Sequence, residues 1–154
     1  MEKPMAQNEG ATKVYGPAVG ALDPKSVVLH YCALMNQRKY DSAFELLSDD
    51  LEWWLLGYDP LDGQQVSGTV NKAEFTEAIH EVMNRTVGGV TFEPGLMLVE
   101  GNRLAMTLES RAELKNGRTY HNHVGKFVEV RDGKIARVRE YPDTKHVHDV
   151  LLAP

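Results

Sequence analysis

The chain has 154 residues, 42% of them hydrophobic and 25% charged, the size and composition of one globular domain rather than of a disordered or fibrous chain. Its net charge is −5 with acids and bases interspersed, so overall field draws neither a nucleic acid nor a polyanionic substrate to it. A single cysteine, Cys32, excludes an internal disulfide or a thiolate cluster, and neither a signal-peptide core nor a membrane-length apolar run is visible, so a soluble, cytoplasmic protein with no membrane partner is expected.

Residues 1–21 are small and polar without periodicity, and are expected to form a flexible arm ahead of one domain over residues 22–154. Asp23 and Pro24 predict a helix start, after which Val27, Tyr31, Leu34 and Met35 fall on one face. "YDSAFELL" predicts a short second helix with Phe44 and Leu47 on its apolar side. "LEWWLLG" reads as a strand with Trp53 and Leu55 facing inward, and "YDPLDGQQVSG" reads as loop. Asn71 followed by Glu74 predicts a capping box on a third helix, with Phe75, Ile79, Val82 and Met83 as its buried stripe and Gly88 and Gly89 as its stop. Four strands follow, separated by Gly-Asn, Asn-Gly and Asp-Gly turns that predict an antiparallel meander, and "DTKHVHDVLL" predicts a closing helix. The fold class is therefore α+β: a cone-shaped, curved antiparallel sheet whose concave face is covered by about three N-terminal helices.

A two-residue turn at Asn116-Gly117 pairs Lys115 with Arg118 and sets Arg111 opposite Asn122 and Glu109 opposite Val124. A three-residue loop before Lys134 then sets Val124 opposite Glu140. On this register one face carries Glu109, Arg111, Asn122, Val124, Val128, Val138 and Glu140. Its valines argue for burial, and buried charges have to be paired. The other face carries His121, His123, Phe127, Glu129, Ile135, Arg137 and Arg139. A slip of one residue at either turn would invert the assignment.

The stretches "EWWLLG…PLDG…SGTVNKAEF", "ESRAELKNGRTYHNH" and "VRDGKIARVREYPDT" resemble the SnoaL-like branch of the nuclear transport factor two-like superfamily over residues 23–151. The resemblance implies a homodimer formed through the sheet and one apolar pocket per subunit for a small hydrophobic molecule. Ketosteroid isomerase, polyketide cyclases, limonene epoxide hydrolase and non-catalytic binding domains share this scaffold, so the site has to carry the function. Arg111 with Glu109 and Glu140 is similar to the Arg flanked by two carboxylates of limonene epoxide hydrolase, with the Arg and the first acid in the opposite order. Trp53 and Leu55 stand where that enzyme has its water-holding Tyr and Asn, and no Tyr–Asp pair of ketosteroid isomerase type is found.

The expected catalytic residues are accordingly Glu109, Arg111 and Glu140, one carboxylate as base and the other as acid, performing isomerisation, cyclisation, dehydration or hydration. Trp53, Leu55, Tyr58, Phe75, Ile79, Met83, Asn122 and Val124 are the expected substrate-binding residues. The alternative is a non-catalytic ligand-binding or dimerisation module in which the charges satisfy one another. His121 and His123 could chelate a metal with help, but no nearby acid completes the set, so no metal is expected, and no cofactor motif is visible. Lys126 shares the inner face, where it either snorkels to an edge or adds a cation to the pocket.

Overall fold

The computed structural model describes residues 23–58 and 65–153, and the expected N-terminal arm lies outside them. Helix α1 (Pro24–Asn36) starts where its cap predicts. Pro24 takes the first helical position and the Asp23 carboxylate accepts from the Ser26 backbone N–H at 3.3 Å. Its buried face carries Val27, Val28, Tyr31, Cys32, Leu34 and Met35, and each large apolar side chain there is worth roughly 1.5–3 kcal/mol of burial. The short α2 (Tyr40–Glu45) adds Ala43 and Phe44. Helix α3 (Lys72–Arg85) opens in a full capping box, the Asn71 side chain accepting from Glu74 N–H at 3.0 Å and the Glu74 side chain from Asn71 N–H at 2.9 Å. Phe75 is buried and Ile79, Val82 and Met83 are half-buried along its stripe.

The strands are β1 (Leu47–Tyr58), β2 (Gln65–Val70), β3 (Thr86–Glu100), β4 (Arg103–Leu114), β5 (Thr119–Arg131) and β6 (Lys134–Tyr141). They form one curved, unclosed sheet in the order β2-β1-β6-β5-β4-β3. The β3-β4-β5-β6 meander is antiparallel, as its turns predict, while β1 lies parallel to β6. Two features escaped the sequence reading. The segment read as loop contains β2, an edge strand that pairs with β1. Gly88 and Gly89 do not stop α3, which ends at Arg85. They sit inside β3 with φ of 81° and 84°, where the ladder to β4 shifts register. After β6 the chain closes with α4 (Thr144–His146), continued as a wider turn over Val147–Leu152.

The register of the sheet corrects the expected faces. The β4–β5 connection is a three-residue loop, Lys115 to Gly117. Leu114 N–H donates to Arg118 C=O at 2.9 Å, and Gly117 adopts φ 84°. Arg111 therefore lies opposite His121 and Glu109 opposite His123, one residue away from the expected pairing. Because side chains alternate, that single step moves Glu109 and Arg111 to the outer face and puts Leu104, Met106, Leu108, Ser110, Ala112 and Leu114 inside. The β5–β6 loop is also different, a two-residue Asp132-Gly133 turn with φ of 52° and 73°. There an extra residue in β6 compensates, so Val128 pairs with Val138 and Lys126 with Glu140. The net displacement is two residues, and Glu140 stays on the inner face. The two-residue turn sets Ile135 opposite Val130 and buries it, where the expected register put it outside.

Candidate functional site

Between α1, α3 and the concave side of the sheet lies a cavity of about 70 Å3. Its walls are apolar: Val28 from α1, Phe75 and Ile79 from α3, Met106 and Leu108 from β4, Val138 from β6. Trp53 from β1 is 4% exposed, and its ring stacks on Phe75 with centroids 4.0 Å apart and planes 19° apart. Into this wall project Tyr31, Cys32, Lys126 and Glu140.

Parallel pairing of β1 with β6 makes Trp53 the neighbour of Val138 and Leu55 that of Glu140, so the Trp53 indole N–H reaches Glu140 Oε2 at 2.8 Å. Antiparallel pairing of β5 with β6 puts Lys126 directly across, its Nζ 3.4 Å from the same oxygen and 4.9 Å from the Trp53 ring centre. The Lys126 and Glu140 side chains are only 11% and 18% exposed. Both contacts fall on Oε2. Burial, with Cys32 and Glu140 beside it, raises the Tyr31 phenol above its ordinary range. Burial also pushes the Cys32 thiol up to about 11, Lys126 pulling the other way, so Cys32 is held as a neutral thiol.

The expected Glu–Arg–Glu centre does not converge. Glu140 is at the cavity, but Glu109 and Arg111 meet each other on the outer face at 2.5 Å, in contact with His121. Among the expected ligand contacts, Trp53, Phe75 and Ile79 line the cavity. Val124 is buried in the core, and Met83 packs against the edge of the core, its sulfur accepting from Val90 N–H at 3.4 Å. Leu55 shares Trp53's side of the strand but is 43% exposed. The side chain of Tyr58 lies outside the described residues. Asn122 is fully buried, yet its amide is taken up by one backbone residue: Nδ2 donates to Asp143 C=O at 3.1 Å and Oδ1 accepts from Asp143 N–H at 2.9 Å. It clamps the chain that leaves β6 rather than facing a ligand.

Two polar cavity residues, Lys126 and Tyr31, were not among the expected site residues. The alternation Tyr120, Asn122, Val124, Lys126, Val128, Val130 along β5 carried the signal for Lys126, the only charge in an otherwise inward series. Tyr31 gave no signal beyond its place in an apolar stripe.

The outer face of the sheet is different in character. Trp54, Leu98, Val99 and Phe127 line a shallow groove of about 510 Å3 together with Arg137 and Arg139. The Arg139 guanidinium stacks 4.4 Å over Trp54. Among the described residues no helix is long and apolar enough to cross a membrane.

Comparison with known proteins agrees with this architecture. Residues 28–138 match the SnoaL-like domain family. IdmH from Streptomyces antibioticus, a candidate polyketide cyclase, superimposes with a TM-score of 0.67 at 16% identity over 81% of this chain and 95% of that one. TerC, crystallised with polyporic acid, gives 0.66 at 20% identity over 83% and 97%. A nuclear transport factor two-like protein of unknown function from Burkholderia pseudomallei gives 0.68 at 16% identity over 84% and 98%. At these identities the solved structures establish the fold alone. No curated protein matches the sequence. The match over most of the chain, on a helix-covered curved sheet with an interior cavity, makes this protein a member of the SnoaL-like domain family.

Proposed function

We propose that the protein binds a compact hydrophobic molecule, or the reacting end of a larger one, in the cone, and that Glu140 exchanges a proton with it. The observation that carries this reading is one carboxylate, held by the Trp53 indole and the Lys126 ammonium, in a wall that is otherwise largely apolar. An apolar cavity with a few convergent polar groups is the usual form of a small-molecule site. Within it, the Glu140 carboxylate would accept a proton alpha to a carbonyl or from a water, and Lys126 would stabilise an oxyanion formed alongside. The cavity, at about 70 Å3, is well below the roughly 300 Å3 of drug-sized pockets, which supports a small group rather than a fused-ring body. IdmH, a candidate polyketide cyclase, and TerC, crystallised with polyporic acid, make a carbonyl-bearing ligand the first class to screen.

The test uses Trp53 fluorescence to find ligands from a panel of hydrophobic carbonyl compounds, then follows turnover of those that bind. Glu140→Gln is expected to lower turnover by about 100-fold or more while leaving affinity within a few-fold. Unchanged turnover of a true substrate would remove Glu140 from the mechanism. A second reading, binding without chemistry, is favoured by the direct Lys126–Glu140 pair, which by itself satisfies both charges. Binding with no turnover across the panel would establish it.

We also infer that the outer groove is covered by a second copy of the chain. Its apolar side chains are flanked by Glu52, Glu100 and Glu129 as well as Arg103, Arg137 and Arg139, a mixture of signs that suits a self-complementary two-fold contact. Phe127, 57% exposed at its centre, is the anchor. Sedimentation is expected to show a dimer that Phe127→Asp converts to monomer; a monomeric wild type refutes the contact.

A further inference from the structure

On the outer face, at the other end of β5, four side chains meet across the β4–β5 ladder. Glu109 pairs directly with His123 and Arg111 with His121, so all four project from the same side. Glu109 Oε2 lies 3.0 Å from His121 Nε2 and Oε1 lies 3.8 Å from His123 Nδ1, while the two imidazole centres are 4.8 Å apart. One ligand atom from each of Glu109, His121 and His123 falls within 4.8 Å of the others. The sequence reading had found the His-x-His pair but no acid beside it. The true register supplies that acid.

We propose that Glu109, His121 and His123 form a binding site for a divalent transition-metal ion of the zinc type, on the outer face and separate from the cavity. Two imidazoles and a carboxylate are a common donor set for such ions. Tetrahedral bonds of about 2.0–2.1 Å place ligand atoms roughly 3.3 Å apart, so closure from the observed spacing needs only side-chain rotation. The strands already fix the three Cβ positions. His123 is exposed and the other two are half-exposed, so rotation is free of core packing. Two of the three residues, Glu109 and His123, also line a cleft of about 480 Å3 bordered by Glu93, Thr107 and Gly125. Glu93 is the direct β3 partner of Glu109, so a further carboxylate stands next in the same row.

Arg111 is the competitor. Its guanidinium holds Glu109 Oε2 at 2.5 Å and approaches His121 Nδ1 at 3.5 Å, so a metal has to displace it. This separates a metal site from a plain surface ion cluster: removing Arg111 would weaken an ion cluster but improve a metal site.

The test is calorimetric titration of Zn2+ into untagged, metal-stripped full-length protein. One ion per chain with micromolar affinity is expected. His121→Ala and His123→Ala should each weaken binding at least tenfold, and Glu109→Gln several-fold. Arg111→Gln should tighten it several-fold, and His80→Ala, on the exposed side of α3, should leave it unchanged. Affinity no tighter than millimolar in the wild type, wild-type affinity in either strand-histidine variant, or loss of binding in Arg111→Gln would each overturn the site. These outcomes are read from metal binding alone and do not depend on the cavity's chemistry.

Discussion

Replacing Lys126 by methionine is expected to destabilise the protein by about 3 kcal/mol, because it strands the Glu140 carboxylate in a wall with the Trp53 N–H as its remaining hydrogen-bond partner among the described residues. Glu140→Leu should cost a similar amount for the mirror reason, an ammonium left beside the Trp53 ring with no counter-ion. The double variant Lys126→Met/Glu140→Leu removes both charges together and should be more stable than either single variant. The two positions are directly opposed across β5 and β6, so a coupling of about 1–3 kcal/mol is expected from a double-mutant cycle in urea. Additive single effects would show that the pair is held apart in solution. Because stability and turnover are measured independently, this cycle also shows whether loss of activity in a Glu140 variant reflects chemistry or a weakened fold.

Asn122→Ala is expected to cost about 2–4 kcal/mol. The side chain is fully buried, and its removal takes away both partners of the Asp143 backbone as well as the volume they occupy. Asp143 in turn caps α4, its carboxylate accepting from His146 N–H at 3.1 Å, and His146 accepts the His121 N–H at 3.1 Å through its ring. Loosening should therefore spread through Val147–Leu152, and hydrogen exchange there should accelerate more than in α1. A change below about 0.5 kcal/mol would mean that the clamp is replaced by water at no cost. On the reading from sequence alone, Asn122 was a ligand contact, and Asn122→Ala would have affected binding and not the C-terminal segment.

The contrast between those readings shows where the sequence is informative. Helix starts are local, so the Asp23-Pro24 and Asn71/Glu74 signals placed α1 and α3 correctly. The alternation along β5 and β6 likewise put Asn122, Val124 and Glu140 on the inner face. The β4 face failed because one turn motif was allowed to outvote the strand it ended. "Lys-Asn-Gly" fits both a two-residue turn and a three-residue loop with Gly117 left-handed, and the two differ by the one residue that flips a strand. The alternating Leu104, Met106 and Leu108 held the answer, since apolar burial outweighs turn preference. The contact that brings Trp53 to Glu140 was beyond sequence patterns. The β1–β6 pairing joins segments with no turn between them, and the edge strand β2, with its short polar sequence, forms because β1 offers an open partner.

That same β1–β6 pairing has a bearing on the order in which the domain assembles. Trp53 and Glu140 meet across 87 positions of chain, in a ladder that joins the first strand to the last. The meander from β3 to β6 can zip up through short hairpins, each closing a small loop at little entropic cost. The first strand has no such local route to its place, since its ladder with β6 runs parallel and closes the longest loop in the sheet. The half of the wall that carries Trp53 is thus expected to dock late, once β6 exists to receive it. The pocket's charged pair, both members of which lie in β5 and β6, would then be in place before the indole arrives to complete it.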